Sequence, residues 1–284
     1  MILTEPIVLP RKVTAATATK RLPTSKELPC SDGEPLETSW HVNQMLLFLE
    51  LIAYHWRGRK DYFAGGDMFM YFSEEHVFNK DFRGPDFFVV KGVDHDKDRD
   101  SWVSWEEGDR LPDVIVELLS PSTKHIDRTV KKRLYDERFE TAEYFCIDPA
   151  EELIEGWRRN GQGYEPIAPD EDGRLWSREL EVSFDWWTGL YLERRFQTIR
   201  WVRMFDVHGN MAPTFKEGAE AELQGAEAQL KGAEAQLKVT ESQKHVVETR
   251  LNTTEGLLNT AEAEVERLKK EIETLRQQSK PTTP

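Results

Sequence analysis

A chain of 284 residues, 38% hydrophobic and 32% charged, can bury one sizeable core and still carry a polar extension. Its two cysteines, Cys30 and Cys146, exclude a disulfide framework and show no zinc or redox spacing, and no apolar run of about 18 residues offers a membrane span. The formal charge of −14 rules out nucleic-acid attraction through bulk electrostatics, so any phosphate contact must come from local basic residues or from cations held by carboxylates. The expectation is a cytoplasmic protein in a reducing compartment, without membrane contact.

In chain order, residues 1–31 hold four prolines and no hydrophobic period, and read as a loosely ordered arm. A domain follows over 32–200. Ser39 can cap a helix in which Val42, Met45, Leu46, Leu49, Ile52 and Ala53 recur at helical spacing before Gly58. The runs DMFMYF (67–72) and PDFFVV (85–90) read as strands, neighbours in one sheet. Residues 91–111 are crowded with charge and read as a long loop, after which PDVIVELLS (112–120) is a buried strand ended by Pro121. Ser122 or Thr123 can cap a helix running through Phe139, and AEYFCID (142–148) returns as a strand. LIEGWRR, GYEPIAP and ELEVSFDW are hairpin strands, separated by Asn160-Gly161 and Asp172-Gly173 turns. The aromatic cluster Trp102, Trp105, Trp176, Trp186 and Trp187 reads as core and hairpin packing ahead of base stacking.

Residues 201–216 read as a linker, and from Glu217 the texture changes. A seven-residue repeat, LQGAEAQ, LKGAEAQ, LKVTESQ, places Leu223, Leu230, Leu237, Lys244, Leu251, Leu258, Val265 and Ile272 in one series. Ala226, Ala233, Thr240, Val247, Thr254, Ala261, Leu268 and Leu275 form the second. This is the a/d pattern of a coiled coil over 217–278, followed by a disordered tail at 279–284. Such a stripe implies self-association, most simply as a homodimer. Gly218, Gly225, Gly232 and Gly256 weaken the helix, each by about 1 kcal/mol relative to Ala. From Thr214 onward 13 acids face 10 bases, so −11 of the net charge lies in the head.

The carboxylates are the chemical candidates. Glu117, inside VIVELL, alternates with Asp113, Ile115 and Leu119 on one strand face and is buried among β-branched neighbours. A buried charge there needs a cation or strong donors. Asp86 stands at the mouth of another strand. Two carboxylates on adjacent strands make an oxygen-rich site of the kind Mg²⁺ prefers, with Mn²⁺ as the alternative. The matching chemistry is metal-assisted phosphodiester hydrolysis with a nearby lysine steadying developing charge.

GPDFFVV, followed by LPDVIVELLSPSTKHIDRTVKKRLYDERFETAEYFCIDPAEELIEGWR, resembles the Uma-two-type restriction endonuclease family, a branch of the PD-(D/E)xK nuclease superfamily. The resemblance covers roughly residues 32–195. Its most specific pieces are the Glu-Leu-Leu-Ser-Pro-Ser-Thr run, the Asp127, Lys131, Tyr135 spacing, and the strand from Glu143-Tyr144-Phe145 to Asp148-Pro149. It implies an α/β (α+β) fold, a restriction-endonuclease-like mixed sheet flanked by helices, with Asp86 and Glu117 as metal ligands. It also implies a metal-dependent endonuclease acting on DNA. Leu119 stands where the parent motif has lysine, and Lys131 from the next helix takes that place, with Lys132 as the adjacent alternative about 100° away. The catalytic set is then Asp86, Glu117 and Lys131. Lys124, Arg128, Lys132 and Arg133 are candidates for phosphate contact, and Glu34, His41 and Asp113 are possible auxiliaries, with Glu37 beside Glu34. Leu119 and the acidic charge motivate an alternative, a catalytically inactive nuclease fold acting as a scaffold through its coiled coil.

Overall fold

The computed structural model describes residues 21–30, 38–73, 84–192 and 199–278. The chain divides after Lys216 into two units. The first is a mixed α+β unit. Its opening helix, α1 (Ser39–His55), starts one residue earlier than the Ser39 cap implies: Thr38 is the extended cap residue, and its hydroxyl accepts from the His41 backbone N–H. Leu47, Phe48, Leu51 and Ile52 form the buried face of α1.

The strands of the main sheet are β1 (Tyr62–Gly65), β3 (Phe87–Lys91), β5 (Val114–Leu118), β6 (Glu143–Asp148), β7 (Leu153–Arg159) and β8 (Tyr164–Pro166), in the spatial order β1-β3-β5-β6-β7-β8. Every neighbouring pair is antiparallel except β5 and β6. A parallel pair requires a crossover, and the chain supplies a helical one. It comprises α2 (Lys124–Ile126), a π turn (Asp127–Lys131) and α3 (Lys132–Glu137), together called the crossover helix below. Strand alternation sorts β5 into two faces. Val114, Val116 and Leu118 pack with α1, whereas Ile115 and Leu119 pack with Tyr135 and Phe139 of the crossover segment. Glu117 therefore projects from the face that the crossover helix covers.

A second antiparallel sheet has the order β11-β10-β9, from β9 (Leu175–Ser177), β10 (Val182–Gly189) and β11 (Ile199–Phe205). Two short strands, β2 (Met70–Tyr71) and β4 (Trp102–Val103), pair in parallel. The second unit is α4, which begins at the boundary and runs over Phe215–Gln278. No helix among the described residues is long and apolar enough to cross a membrane.

Four expectations are corrected. DMFMYF does not neighbour β3; only Met70 and Tyr71 are strand, paired with β4, and β3 instead pairs with β1. β1 is a four-residue strand whose Tyr62 and Ala64 pack on one sheet face and Phe63 on the other; Gly65 sits opposite Phe88, where a Cβ would lie 2.8 Å from the Phe88 ring. The charged segment 91–111 carries β4, because Trp102 is fully buried with its indole N–H donating to the Arg110 carbonyl, and Arg99 and Glu107 pair at 2.9 Å. The linker expected over 201–216 contains most of β11. Trp201, Val202 and Met204 are buried, and the arginine that breaks the apolar pattern, Arg203, is itself buried, donating to the Ala212 carbonyl and lying over the Trp187 ring. Residues 21–30 of the supposed loose arm dock on the head. Trp105 and Tyr71 donate to the carbonyls of Pro23 and Pro29, the Ser25 N–H donates to Glu106, and Leu28 packs with Phe69, Tyr71 and Val103.

Candidate active site

The site is built on the parallel pair and its crossover. β3 runs antiparallel to β5 with Phe87 opposite Val116, so Asp86, one step before the ladder, stands opposite Glu117. The Leu118 N–H donates to Asp86 Oδ2 at 2.7 Å, which ties that carboxylate to the next strand. Gly66 closes the other side. A Cβ on it would fall 2.6 Å from the Asp86 carbonyl oxygen, so only glycine allows this approach.

After β5 the run Ser120-Pro121-Ser122-Thr123 turns the chain into the crossover. The Ser120 side chain accepts from the Thr123 N–H, and its carbonyl accepts from the Lys124 N–H. The π turn that follows aims Asp127 and Lys131 back at Glu117. The extra residue of a π turn displaces backbone carbonyls from their usual partners, and Tyr144 from β6 donates its hydroxyl to the Asp127 carbonyl at 2.9 Å. Lys131 Nζ lies 3.0 Å from Glu117 Oε2 and 2.8 Å from Asp127 Oδ1, and Tyr135 donates to Glu117 Oε1 at 2.8 Å. Beyond Lys131, Glu117 Oε2 and Asp127 Oδ1 have no hydrogen-bond partner among the described residues.

The electrostatics follow from this crowding. Glu117 and Asp127 are 1% and 2% exposed, whereas Lys131 is 22% exposed, so the lysine and the half-buried Asp86 are the more accessible members. Burial pushes the Glu117 carboxyl up to about 8; Lys131 opposes this, and the charges of Asp86 and Asp127 reinforce it. Burial likewise pushes Asp86 up to about 6, with Lys131 opposing. For Lys131, burial works against the ammonium, but Glu117, Asp127 and Asp86 outweigh it and hold the amine above its ordinary range. Three acids share one ammonium. The lysine offsets one negative charge, and burial, with the neighbouring carboxylates adding to it, raises Glu117 and Asp86, which compete for protons or for a cation.

That surplus, with the singly partnered Oε2 of Glu117, fits a hard divalent ion. Among the described residues no group of three acidic, thiol or imidazole side chains is arranged to hold an ion by protein ligands alone. Asp86 and Glu117 would therefore supply two ligands, leaving the others to water and phosphate oxygens, as Mg²⁺ sites commonly do.

Residues 19–193 match the model of a family described as Uma2, putative restriction endonuclease. The chain belongs to that family. Among solved structures, a putative nuclease belonging to DUF820 from Anabaena variabilis is 17% identical over 56% of this chain and 91% of that one, with a TM-score of 0.40. No curated protein matches. The stretch matched to Uma2 contains Asp86, Glu117, Asp127, Lys131 and Tyr135, and ends before β11 and α4.

The other sequence candidates fare differently in this Uma2 chain. Lys132 does not enter the cluster; its ammonium lies 3.7 Å from the centre of the Trp157 ring. Lys124 pairs with Glu151, and Arg128 with Glu155 and Asp148, so these two bases face acids of the sheet side rather than standing unengaged. Asp113 is four residues from Glu117 at the other end of β5, where it accepts the Lys91 N–H at 2.6 Å. It is a backbone anchor and does not join the carboxylates. His41 is buried with Nδ1 2.7 Å from the Thr38 hydroxyl and its ring edge-on to Trp40, on the helix that covers the opposite sheet face. Glu34 and Glu37 lie outside the described residues. Sequence reasoning assigned no site contact to Asp127 and Tyr135, although the i, i+4, i+8 series through Lys131 signalled a shared side.

Proposed function

We propose that this protein is a divalent-metal-dependent endodeoxyribonuclease that hydrolyses DNA phosphodiester bonds, with Asp86 and Glu117 as metal ligands and Lys131 as the catalytic cation. Family membership supports a nuclease-type function. The observation that carries the finer reading is the three-acid, one-ammonium cluster, in which Glu117 is almost wholly buried and its Oε2 stands 3.0 Å from the Lys131 ammonium.

A bound Mg²⁺ or Mn²⁺ would polarise the phosphate and make water a better nucleophile at neutral pH. The chain's residues have separable tasks. Tyr135 holds one Glu117 oxygen, so the other stays turned toward Lys131. The Leu118 N–H holds Asp86 in the carboxylate plane it needs beside Glu117. Asp127 keeps the Lys131 ammonium charged and aimed, so that it can donate to the phosphoryl oxygens as negative charge accumulates on them. Water attacks phosphorus, the bond to one ester oxygen breaks, and that oxygen leaves with a proton. Lys124, Arg128 and Lys132 would meet flanking phosphates only by leaving or sharing their present partners, whereas Arg133 is exposed.

We also propose that α4 forms a coiled coil with a second copy of the chain. The two heptad series stay in register along the helix, and their large apolar members are each 45% to 64% exposed. Supercoiled plasmid incubated with Mg²⁺ or Mn²⁺ tests the nuclease reading. Nicking or linearisation is expected, falling at least about 100-fold in Glu117→Ala and Asp86→Ala. Folded wild-type protein that leaves several DNA forms intact in both metals overturns it.

A further inference from the structure

Resting on the self-association just proposed, we infer that α4 pairs as a parallel, in-register homodimer. The seam alone does not choose an orientation, because leucines at a and small residues at d pack acceptably either way. The charges flanking it do. With Leu223 at an a position, the e column reads Glu227, Glu234, Glu241, Glu248, Glu255, Glu262, then Lys269 and Arg276. The g column reads Glu222, Gln229, Gln236, Gln243, Arg250, Leu257, Glu264, Glu271. The acids fill one flank until the last two heptads, where its sign reverses.

In a parallel dimer each g residue meets the e residue five positions later on the other copy. Arg250 then meets Glu255, Glu264 meets Lys269, and Glu271 meets Arg276, each twice by symmetry. The like-charged contact is Glu222 with Glu227, in the first turns, where fraying and solvent weaken it. Glutamine or leucine occupies the remaining g positions, so four glutamates at e meet no opposing acid. A fully overlapped antiparallel dimer instead sets e against e and g against g. Glu227 would gain Arg276 and Glu234 would gain Lys269, but Glu241 would face Glu262, Glu248 would face Glu255, and Glu222 would face Glu271. Two of those repulsive layers lie in the middle of the coil, where they cannot fray away.

Two further features agree. Gly225 and Gly232 occupy c positions and Gly256 an f position, all on the outer surface with nothing within 4 Å of an added Cβ, so the helix-weakening residues stay off the seam. Lys244, the polar a residue, pairs with Glu248 of its own helix at 3.7 Å. In a two-stranded coil its flexible stem can carry the ammonium out to that e position, whereas larger bundles would enclose it, which points to two copies. Parallel pairing makes both nuclease units enter the coil from the same end, a requirement for two sites to act on one short stretch of duplex.

The test uses the full-length chain carrying Cys30→Ser, with single cysteines added as Ala226→Cys (a d position) or Ile272→Cys (an a position), near opposite ends and facing each other only in the antiparallel form. Light scattering should give twice the chain mass, and each variant should cross-link to itself under mild oxidation. Arg250→Glu should raise the dimer Kd about tenfold, and adding Glu255→Arg should restore it. A two-chain mass with cross-links only when the two cysteine variants are mixed overturns the orientation while leaving self-association standing. A one-chain mass overturns both, and a mass of three or more chains overturns the two-copy assignment. Unchanged affinity in Arg250→Glu also counts against the parallel register, since in the antiparallel form Arg250 faces only Gln243.

Discussion

At the scale of single residues, the site depends on a few atoms held closer than side chains usually permit. Gly66 is the clearest case, because its hydrogen occupies the space a methyl would need against the Asp86 carbonyl oxygen and the Met45 side chain. Gly66→Ala should leave the protein folded but displace Asp86 by a fraction of an ångström. The expected result is a loss of cleavage by about ten- to a hundredfold, with a lowered melting temperature as well, since the added Cβ meets backbone. Parallel activity and thermal melts check this; unchanged cleavage would mean that Asp86 needs no such placement. Little in the sequence marks Gly66 for this role, since two adjacent glycines read equally well as a simple turn. Glu117 was legible for the opposite reason: an acid between β-branched residues has to be either paired or ligated, and the strand period gives its face.

Among the elements, legibility tracked how local the cause is. β5, β6 and the amphipathic α1 have their causes in their own residues, through β-branched runs and helical spacing. β1 and β11 do not. β1 is only four residues long and ends on Gly65, where the Phe88 ring of β3 leaves no room for a side chain, and β11 tolerates Arg203 in its interior because the Ala212 carbonyl and the Trp187 ring receive the guanidinium. Both causes lie far away in sequence. The π turn was similarly hidden, as its spacing reads like ordinary helix. Its role can be checked by shortening it. Deleting the exposed Val130 should let the crossover heal into continuous α-helix. Tyr135 and Phe139 stay seated in the core, so Asp127 is the residue that rotates away, by roughly 100°. The variant should keep the wild-type melting temperature to within a few degrees while cleaving much more slowly, and circular dichroism with a plasmid assay decides it.

For the molecule as a whole, the acidic balance acquires a local meaning. Part of the charge is concentrated where the fold can least tolerate it, in a buried trio with one lysine. The sign of the resulting pH dependence follows. Glu117 and Asp86 titrate higher in the folded protein, to about 8 and about 6, than their ordinary values of 4.5 and 3.8. The folded state therefore holds more protons than the unfolded state across that interval. Stability should fall as pH rises from about 4.5 to about 8 in metal-free buffer. Melting curves between pH 5 and pH 8.5 should show this decline, Glu117→Gln should flatten it, and Mg²⁺ should raise the melting temperature more at pH 8 than at pH 5.5. A stability that climbs over this range in metal-free protein would contradict the protonation assigned to the cluster.

The docked segment 21–30 changes where the head can be cut. Trp105 and Tyr71 place their only polar side-chain groups on carbonyls of prolines, residues with no amide hydrogen of their own to draw those carbonyls into local helix. A fragment begun at Asp32, the boundary composition suggests, would remove the two carbonyls that accept from Trp105 and Tyr71 and the Leu28 side chain that packs on Phe69, Tyr71 and Val103. In engineering terms, a fragment that keeps the docked segment starts no later than Pro23, and the prolines that make these residues look dispensable supply the carbonyls that fasten them.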